Sequence, residues 1–173
     1  MTSSTSELSI FSEVDISLQC ALYPRQMANM MEAVETQINA MLFNFNHELG
    51  GIPLFYNDIT IPTGKEQCRI LGEHSWLHLE VSTKMIIFTP TKGAVLRGHV
   101  TSVSSEHVAL LVFGVVNASV SKELLKSSYV FNAELQRWEG VGLSISEGDM
   151  MDIAIQSHFH NNGIIQIHAS PAY

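Results

Sequence analysis

The chain has 173 residues and a formal net charge of −8; 46% of its residues are hydrophobic and 15% are charged. This length suits one compact domain or two small ones, and so few charges indicate that partners cover part of the surface. No apolar run reaches the ~20 residues of a membrane span, and residues 1–82, with three bases against ten acids, repel phosphate.

The chain begins with a polar segment, then a strand and a helix. Met1–Ser9 is rich in Ser and Thr and lacks the basic and apolar regions of a signal peptide, so we expect disorder there. Apolar and polar residues alternate over Val14–Leu22, which predicts a half-buried strand. Cys20 falls among its apolar positions and is interpreted as a small buried group, not a nucleophile. Pro24 then opens a helix predicted to end at Phe43.

The predicted helix is rich in methionine along one face. We expect this stripe to pack in the core against the sheet, with contact to a partner as the alternative. Its members recur at helical spacing: Met27, Met30, Met31, Val34, Ile38, Met41, Leu42 and Phe45.

Three further strands complete a first domain, predicted over residues 10–88. Gly50-Gly51 signals a turn or bulge before a strand over Ile52–Ile61, which the Pro62-Thr63-Gly64 turn ends. A short strand over Arg69–Leu71 and a longer one over Trp76–Ile87 follow. The pattern predicts one helix laid on a small antiparallel sheet.

Residues 89–173 predict a small five-stranded barrel. Gly93 precedes an apolar run and Gly98 lies inside it, where a strand must bend to serve both sheets of an OB barrel. Asn161-Asn162-Gly163 is a strong hairpin turn. The other predicted elements are strands at Val108–Phe113, Gly114–Val120, Tyr129–Trp138, Met150–Gln156 and Ile164–Ile167, and a short helix, Lys122–Lys126, capped by Ser121.

The sequence contains none of the common catalytic, phosphate-binding or zinc-binding motifs, so we predict neither a catalytic residue nor a cofactor. His158 and His160 share a strand face, with His168 on the facing strand; surface histidines are the favoured interpretation, and a zinc site is the alternative. Glu147 and Asp149 bracket a glycine and are interpreted as turn residues. We expect Phe113 in the core of the barrel.

Four segments resemble one known family, the larger stalk subunit of the multi-subunit RNA polymerases. They are residues 18–24 (LQCALYP), 50–52 (GGI), 84–100 (KMIIFTPTKGAVLRGHV) and 112–120 (VFGVVNASV). The last is most similar to the RNA polymerase I member, which carries a similar G-x-x-N-A-S segment. The resemblance covers residues 9–170 and implies an α+β protein, with an N-terminal tip domain of one helix on a small antiparallel sheet followed by a C-terminal OB-fold barrel.

The resemblance also implies a function and its partners. It implies a non-catalytic polymerase I subunit in the nucleus and nucleolus that docks on the polymerase core, pairs with a smaller stalk subunit and receives the initiation factor. The tip loop is expected to dock on the core through Asn46, His47, Glu48, Leu49, Gly50, Gly51 and Ile52. The candidates for contact with the other partners are Tyr23, Pro24, Gly114, Asn117, Ala118 and Ser119.

Contact with RNA is expected to be weak. An OB barrel binds nucleic acid through aromatic and basic residues on its second and third strands, and here the candidates are sparse: Arg97, His99 and Phe113. Asn117 and Ser119 are expected to bond the backbone of a loop. The alternatives are a stalk subunit of RNA polymerase II, III or an archaeal enzyme, and a free-standing OB-fold protein that binds RNA.

Overall fold

The computed structural model describes residues 10–61, 68–70, 75–126, 128–161 and 164–172. Contacts divide them into a unit spanning Phe11–Thr89 and a unit that begins at Pro90 and includes Ile10. The predicted disordered segment, the Pro62-Thr63-Gly64 turn and residues 162–163 of the hairpin turn lie outside the described residues. No described helix has the length and apolarity needed to cross a membrane.

The first unit is a helix on a small antiparallel sheet, as predicted. Its longest strands, β1 and β4, pair without interruption from Phe11–Phe88 to Leu22–Leu77. The central strand β4 carries β1 along one side and β2 and β3 along the other. In chain order the elements are β1 (Phe11–Leu22), a 3₁₀ helix (Pro24–Asn29), α1 (Met30–Asn39), β2 (Ile52–Thr60), β3 (Cys68–Ile70) and β4 (Leu77–Phe88).

The core of this unit lies between α1 and one face of the sheet. Val34 and Ile38 of α1 are fully buried against alternate residues of β4, and a fully buried side chain of this size contributes about 1.5–3 kcal/mol. Cys20 is buried as predicted, and burial raises the pKa of its thiol. The buried residues of β4 in this core are Leu79, Val81, Met85 and Ile87.

The helix is shorter than predicted, and its methionines lie outside the core. Asn29 leaves helical geometry with φ −139° and divides the predicted helix in two. At the other end α1 stops at Asn39, and the left-handed Phe43, with φ 63°, donates its N–H to Pro53 O of β2 at 2.8 Å. Met27, Met30 and Met31 are 36–43% exposed. The expectation that they pack in the core is wrong, since the N-terminal part of the stripe extends past the buried contacts of α1.

The second unit contains a closed barrel with the strand order of an OB fold, so the predicted fold class is confirmed. The barrel runs β11-β12-β7-β6-β5 and closes where β11 pairs with β5. Within the described residues of this unit, the one parallel pair is β12 with β7. In chain order the elements are β5 (Val95–Val103), β6 (His107–Val112), β7 (Val116–Ser121), α2 (Lys122–Leu125), β8 (Tyr129–Asn132), β9 (Arg137–Gly140), β10 (Ser144–Ile145), β11 (Met150–Asn161) and β12 (Ile164–Pro171).

Gly98 serves the role that the sequence suggested. It pairs with Val112 on one side and with Met151 on the other, so β5 joins both halves of the barrel. A Cβ at Gly98 would lie 3.2 Å from Cβ of Leu110, which is closer than packed side chains usually approach. Glycine therefore lets β5 curve against β6.

The segment predicted as one strand over Tyr129–Trp138 is instead a hairpin. Asn132 Oδ1 accepts hydrogen bonds from the N–H groups of Glu134 and Leu135, and Gln136 is left-handed with φ 48°. This turn separates β8 from β9, which form a small sheet with β10 outside the barrel. The sheet is held by buried Trp138, whose indole N–H donates to Ser104 O at 2.9 Å.

Phe113 lies in a turn and not in the core. Phe113 and Gly114 are both left-handed, with φ 53° and 75°, and connect β6 to β7. The inward residues of β6 are Val108, Leu110 and Val112, so Phe113 follows an inward position and is 45% exposed. The third barrel strand therefore begins at Val116, two residues later than predicted.

The long strand β11 contains a bulge at Gln156 and runs to Asn161, beyond the predicted end. The bulge changes which side chains share a face. His158 and His160 pair with Ile167 and Ile165, whereas His168 pairs with Ser157 and lies on the opposite face. The three histidines therefore do not share a face and cannot bind one zinc ion together. No group of His, Cys, Asp and Glu that could hold a metal ion occurs among the described residues.

Candidate partner-binding surfaces

The tip loop, Asn46–Ile52, is a closed turn held by Asn46. Backbone hydrogen bonds join Asn46 and Gly51 in both directions, at 2.9 and 3.3 Å. Asn46 Oδ1 also accepts from the N–H groups of Glu48 and Leu49, at 2.9 and 3.1 Å. The short polar side chain thus replaces the backbone partners that a longer hairpin would supply.

Each glycine of the loop has a structural reason of its own. Gly50 is left-handed with φ 64°, and a Cβ there would meet open space. A Cβ at Gly51 would lie only 2.6 Å from Cγ2 of Ile87 and from the carbonyl oxygen of Phe88. Close packing within the chain accounts for Gly51 without any partner.

The side chains of the tip loop differ in their exposure. His47 and Glu48 are exposed, and the His47 ring meets Phe45 edge-on at 5.3 Å. Leu49 is half-buried against the core of its own unit, and Ile52 is fully buried. Docking by this loop stays a prediction, and His47 and Glu48 are the residues on which it now rests.

Tyr23 and Pro24 begin the 3₁₀ helix beside an exposed aromatic pair. The ring of Tyr23, 46% exposed, meets Trp76 edge-on at 5.2 Å and has the guanidinium of Arg25 5.9 Å from its centroid. The exposed methionines Met27, Met30 and Met31 follow along the same segment. The sequence carried this signal in its methionine spacing, but spacing alone did not distinguish core from surface.

The G-x-x-N-A-S segment begins in the turn between β6 and β7 and continues as strand β7. Asn117, Ala118 and Ser119 lie in β7, between β6 and β12. Ala118 is buried, Asn117 is exposed, and the Ser119 hydroxyl lies 3.3 Å from Nδ1 of His168. The expectation that the side chains of Asn117 and Ser119 bond the backbone of a loop is therefore wrong. Both residues lie inside a strand that is paired on each side, and the Ser119 hydroxyl lies beside His168 instead.

The predicted RNA-contacting residues are not equivalent. His99 is exposed on β5 and Phe113 in the turn between β6 and β7. Arg97 instead makes two hydrogen bonds to Asp152 of β11, at 2.6 and 2.9 Å. These bonds lower the pKa of the Asp152 carboxyl. Because the two charges neutralise each other, Arg97 offers little attraction to phosphate.

The structure adds an exposed aromatic pair that the sequence did not indicate. The ring of Phe159 stacks on His168 with a centroid distance of 5.1 Å and an interplanar angle of 28°. Alternation along β11 would place Phe159 on the opposite face, and the bulge at Gln156 is what brings it beside His168. Bulges of this kind leave no clear signal in one sequence.

The two units together define a class of protein: a helix-on-sheet unit followed by an OB-fold barrel. Known proteins with matching sequences are consistent with that class. A family model described as the RPA43 OB domain in RNA Pol I matches residues 90–162.

Three curated relatives illustrate the similarity. A probable RNA polymerase I subunit RPA43 of Dictyostelium discoideum is 32% identical over 70% of this chain and 34% of its own length. RPA43 of Homo sapiens is 29% identical over 78% of this chain and 37% of its own. RPA43 of Schizosaccharomyces pombe is 22% identical over 91% of this chain and 90% of its own.

The chain spans about a third of the length of the first two relatives and most of the third. The resemblance inferred from the sequence is thereby confirmed. The chain is RPA43-like, similar to the larger stalk subunit of RNA polymerase I, and its barrel is an OB domain of the RPA43 type.

Proposed function

We propose that the chain is a non-catalytic subunit of DNA-directed RNA polymerase I and supports transcription of the ribosomal RNA genes. The match of residues 90–162 to the RPA43 OB domain carries this proposal. The names of the relatives give the same enzyme, and their similarity extends beyond the barrel into the first unit. This function assigns the chain to the nucleus and, with the ribosomal genes, to the nucleolus.

We further propose that the first unit docks on the polymerase core. The exposed His47 and Glu48 of the tip loop are one contact. The exposed methionines with Tyr23 and Trp76 supply an apolar surface of the adaptable kind that methionine provides. Burying these side chains in an assembly explains why so apolar a surface persists on a chain with few charges.

The remaining partners in this proposal are a smaller stalk subunit and the polymerase I-specific initiation factor. Of the pairing candidates, Gly114 is exposed in the turn before β7 and Asn117 is exposed on β7 itself. Recruitment of the initiation factor would bring the polymerase to the ribosomal DNA promoter. Both roles follow from the resemblance of the chain to the stalk family.

Rapid depletion of the chain from cells tests this function. We expect synthesis of the ribosomal RNA precursor, measured by pulse labelling, to fall severalfold while products of polymerases II and III are unchanged. Restoring the chain from a plasmid is the control. Loss of messenger or transfer RNA synthesis instead would indicate a stalk subunit of another polymerase. Unchanged synthesis by all three would favour a free-standing RNA-binding protein.

A further inference from the structure

The strand β1 forms an edge of the first sheet. It pairs with β4 over all twelve of its residues, and no other strand of the described chain pairs with it. Its length exceeds the short edges that proteins usually leave open, because an open edge offers unpaired backbone groups to other chains.

One hydrogen bond shows which backbone groups point away from the sheet. The side-chain amide of Gln37 donates to the carbonyl oxygen of Ala21 at 3.0 Å, so the backbone of Ala21 points away from β4. Outward-pointing residues alternate along an antiparallel strand, and the β1–β4 register has no bulge. The outward set upstream of Ala21 is therefore Glu13, Asp15, Ser17 and Gln19.

The apolar side chains of β1 are covered at one end only. Cys20 and Leu22 are buried beneath α1, where Gln37 reaches the edge. Val14, Ile16 and Leu18 lie on the same face and remain half-buried, although they contact the same core. An added strand beside β1 would cover this remaining apolar area.

The charged side chains beside this edge favour a basic segment as the added strand. Glu13 and Asp15 are exposed on the other face and share one basic neighbour, Lys84 of β4. Lys84 lies directly opposite Asp15, and its Nζ is 3.6 Å from Oε1 of Glu13 in a pair that is itself exposed. Like charges on adjacent strands destabilise a sheet. Two copies of β1 would place four carboxylates on one sheet face, whereas a basic segment would neutralise Glu13 and Asp15.

We propose that the edge of β1 binds an extended segment of a partner polypeptide as an additional strand. The segment alternates apolar residues, which cover Val14, Ile16 and Leu18, with Lys or Arg, which lie beside Glu13 and Asp15. Its backbone pairs with the outward groups of residues 13–19. The inference is independent of the proposed function, since it concerns the chemistry of the edge and holds for any partner with such a segment.

A synthetic peptide tests this chemistry on the full chain. The probe is a short peptide in which valine alternates with lysine, and the control peptide alternates valine with glutamate. Binding is followed by hydrogen–deuterium exchange with residue resolution. We expect the lysine peptide to slow exchange at the amides of Asp15, Ser17 and Gln19 and leave Ile16 and Leu18 unchanged, because those amides already bond β4. Equal effects of both peptides, or none at these amides, would overturn the proposal.

A matched pair of variants at Ser17 separates edge pairing from side-chain effects. Ser17→Pro removes an outward N–H and adds a ring at the edge, whereas Ser17→Ala keeps the N–H; both lose the bond from the Ser17 hydroxyl to Glu80. We expect the proline variant to bind the lysine peptide about tenfold more weakly than the alanine variant, as for one lost backbone hydrogen bond. Equal binding by the two variants would contradict strand addition.

Two further results distinguish this inference from its competitors. Outward amides that are protected without peptide, with protection that rises with protein concentration, would indicate pairing of two copies and overturn the proposal. In assemblies purified from cells, the same amides should be protected relative to the free chain. Failure of the chain to enter a polymerase would contradict the proposed function alone, because the peptide measurement does not depend on it.

Discussion

Gly51 occupies a position where even a methyl group has no room. The atoms that a Cβ would meet are a methyl group of Ile87 and the backbone oxygen of Phe88, and the second cannot rotate aside. Gly50, its neighbour, needs only its left-handed backbone. The two glycines are adjacent in sequence, but they are required for different physical reasons.

Substitution of these glycines by alanine should therefore have unequal effects. We expect Gly51→Ala to lower the free energy of unfolding by about 3 kcal/mol, the upper range for overpacking, and Gly50→Ala by about 1 kcal/mol, from backbone strain alone. Denaturant unfolding of both variants measures the difference. A Gly51→Ala chain as stable as the wild type would show that the loop packs differently.

The ion pair of Arg97 and Asp152 gives a prediction about pH. We expect Arg97→Gln to raise the pKa of the Asp152 carboxyl toward its ordinary value, because the hydrogen bonds that lower it are lost. Since the folded pKa is depressed, the pair contributes stability above the unfolded pKa, and that contribution is lost as the pH falls through the folded pKa. Carbon-13 NMR titration of the carboxyl measures the shift, and Glu139, paired with Arg137, is the internal control. An Asp152 pKa that is the same in the Arg97→Gln variant and the wild type would contradict the ion pair between Arg97 and Asp152.

At the scale of elements, the apolar residues along one face of α1 are buried at its C-terminal end and exposed at its N-terminal end. Val34 and Ile38 are buried in the core, whereas Met31, one turn earlier, is exposed. We expect Ile38→Ala to cost about 2–5 kcal/mol of stability and Met31→Gln to change it by no more than about 0.5 kcal/mol. Thermal and denaturant unfolding test both. A large loss from Met31→Gln would mean that this side chain belongs to the core.

The tip loop gives a prediction about assembly. Replacing the glycines is unsuitable as a test, because a side chain at Gly51 would disturb the fold itself. The double variant His47→Ala, Glu48→Ala alters only exposed side chains. We expect it to keep its unfolding transition and to lose most of its association with polymerase in purifications from cells. If this variant associates with polymerase as well as the wild type does, the docking surface is not the tip loop.

The strands were more predictable than the helix ends and turns. Alternation over β1 and β4 follows from one covered face, so it is visible in the sequence. The segment after α1 is fixed by Phe43 donating to Pro53 of another strand, and no local pattern encodes that bond. The turn after Asn132 had a local signal in its asparagine, but the apolar residues on either side concealed it.

The candidate sites were predicted less completely than the fold. Local sequence identified the tip loop and the turn at Gly114. Which side chains face solvent depended on which face of β6 turns inward and on the bulge at Gln156. Pairing of Arg97 with Asp152, fifty-five residues apart, could not be read from either segment alone. Such contacts arise from barrel closure, which is a property of the whole unit.

At the scale of the whole molecule, charge limits what the chain does by itself. Residues 83–173 carry six bases against seven acids, and Arg97 is already paired. We expect the isolated chain to bind single-stranded RNA with a Kd of roughly 10⁻⁴ M or weaker at physiological salt. Fluorescence anisotropy measures this, with Asp152→Asn as the matched variant that releases Arg97 and binds somewhat more tightly. Tight binding that falls steeply with added salt would favour a free-standing RNA-binding protein.

The central claim is that this RPA43-like chain works within RNA polymerase I, and purification of the tagged chain from its own cells tests it most directly. Mass spectrometry of the purified material should show the core subunits of polymerase I in stoichiometric amounts, together with a smaller stalk subunit, at salt concentrations that remove non-specific nucleic acid. Recovery of the chain alone, or with the core subunits of polymerase II or III in place of those of polymerase I, would contradict the account.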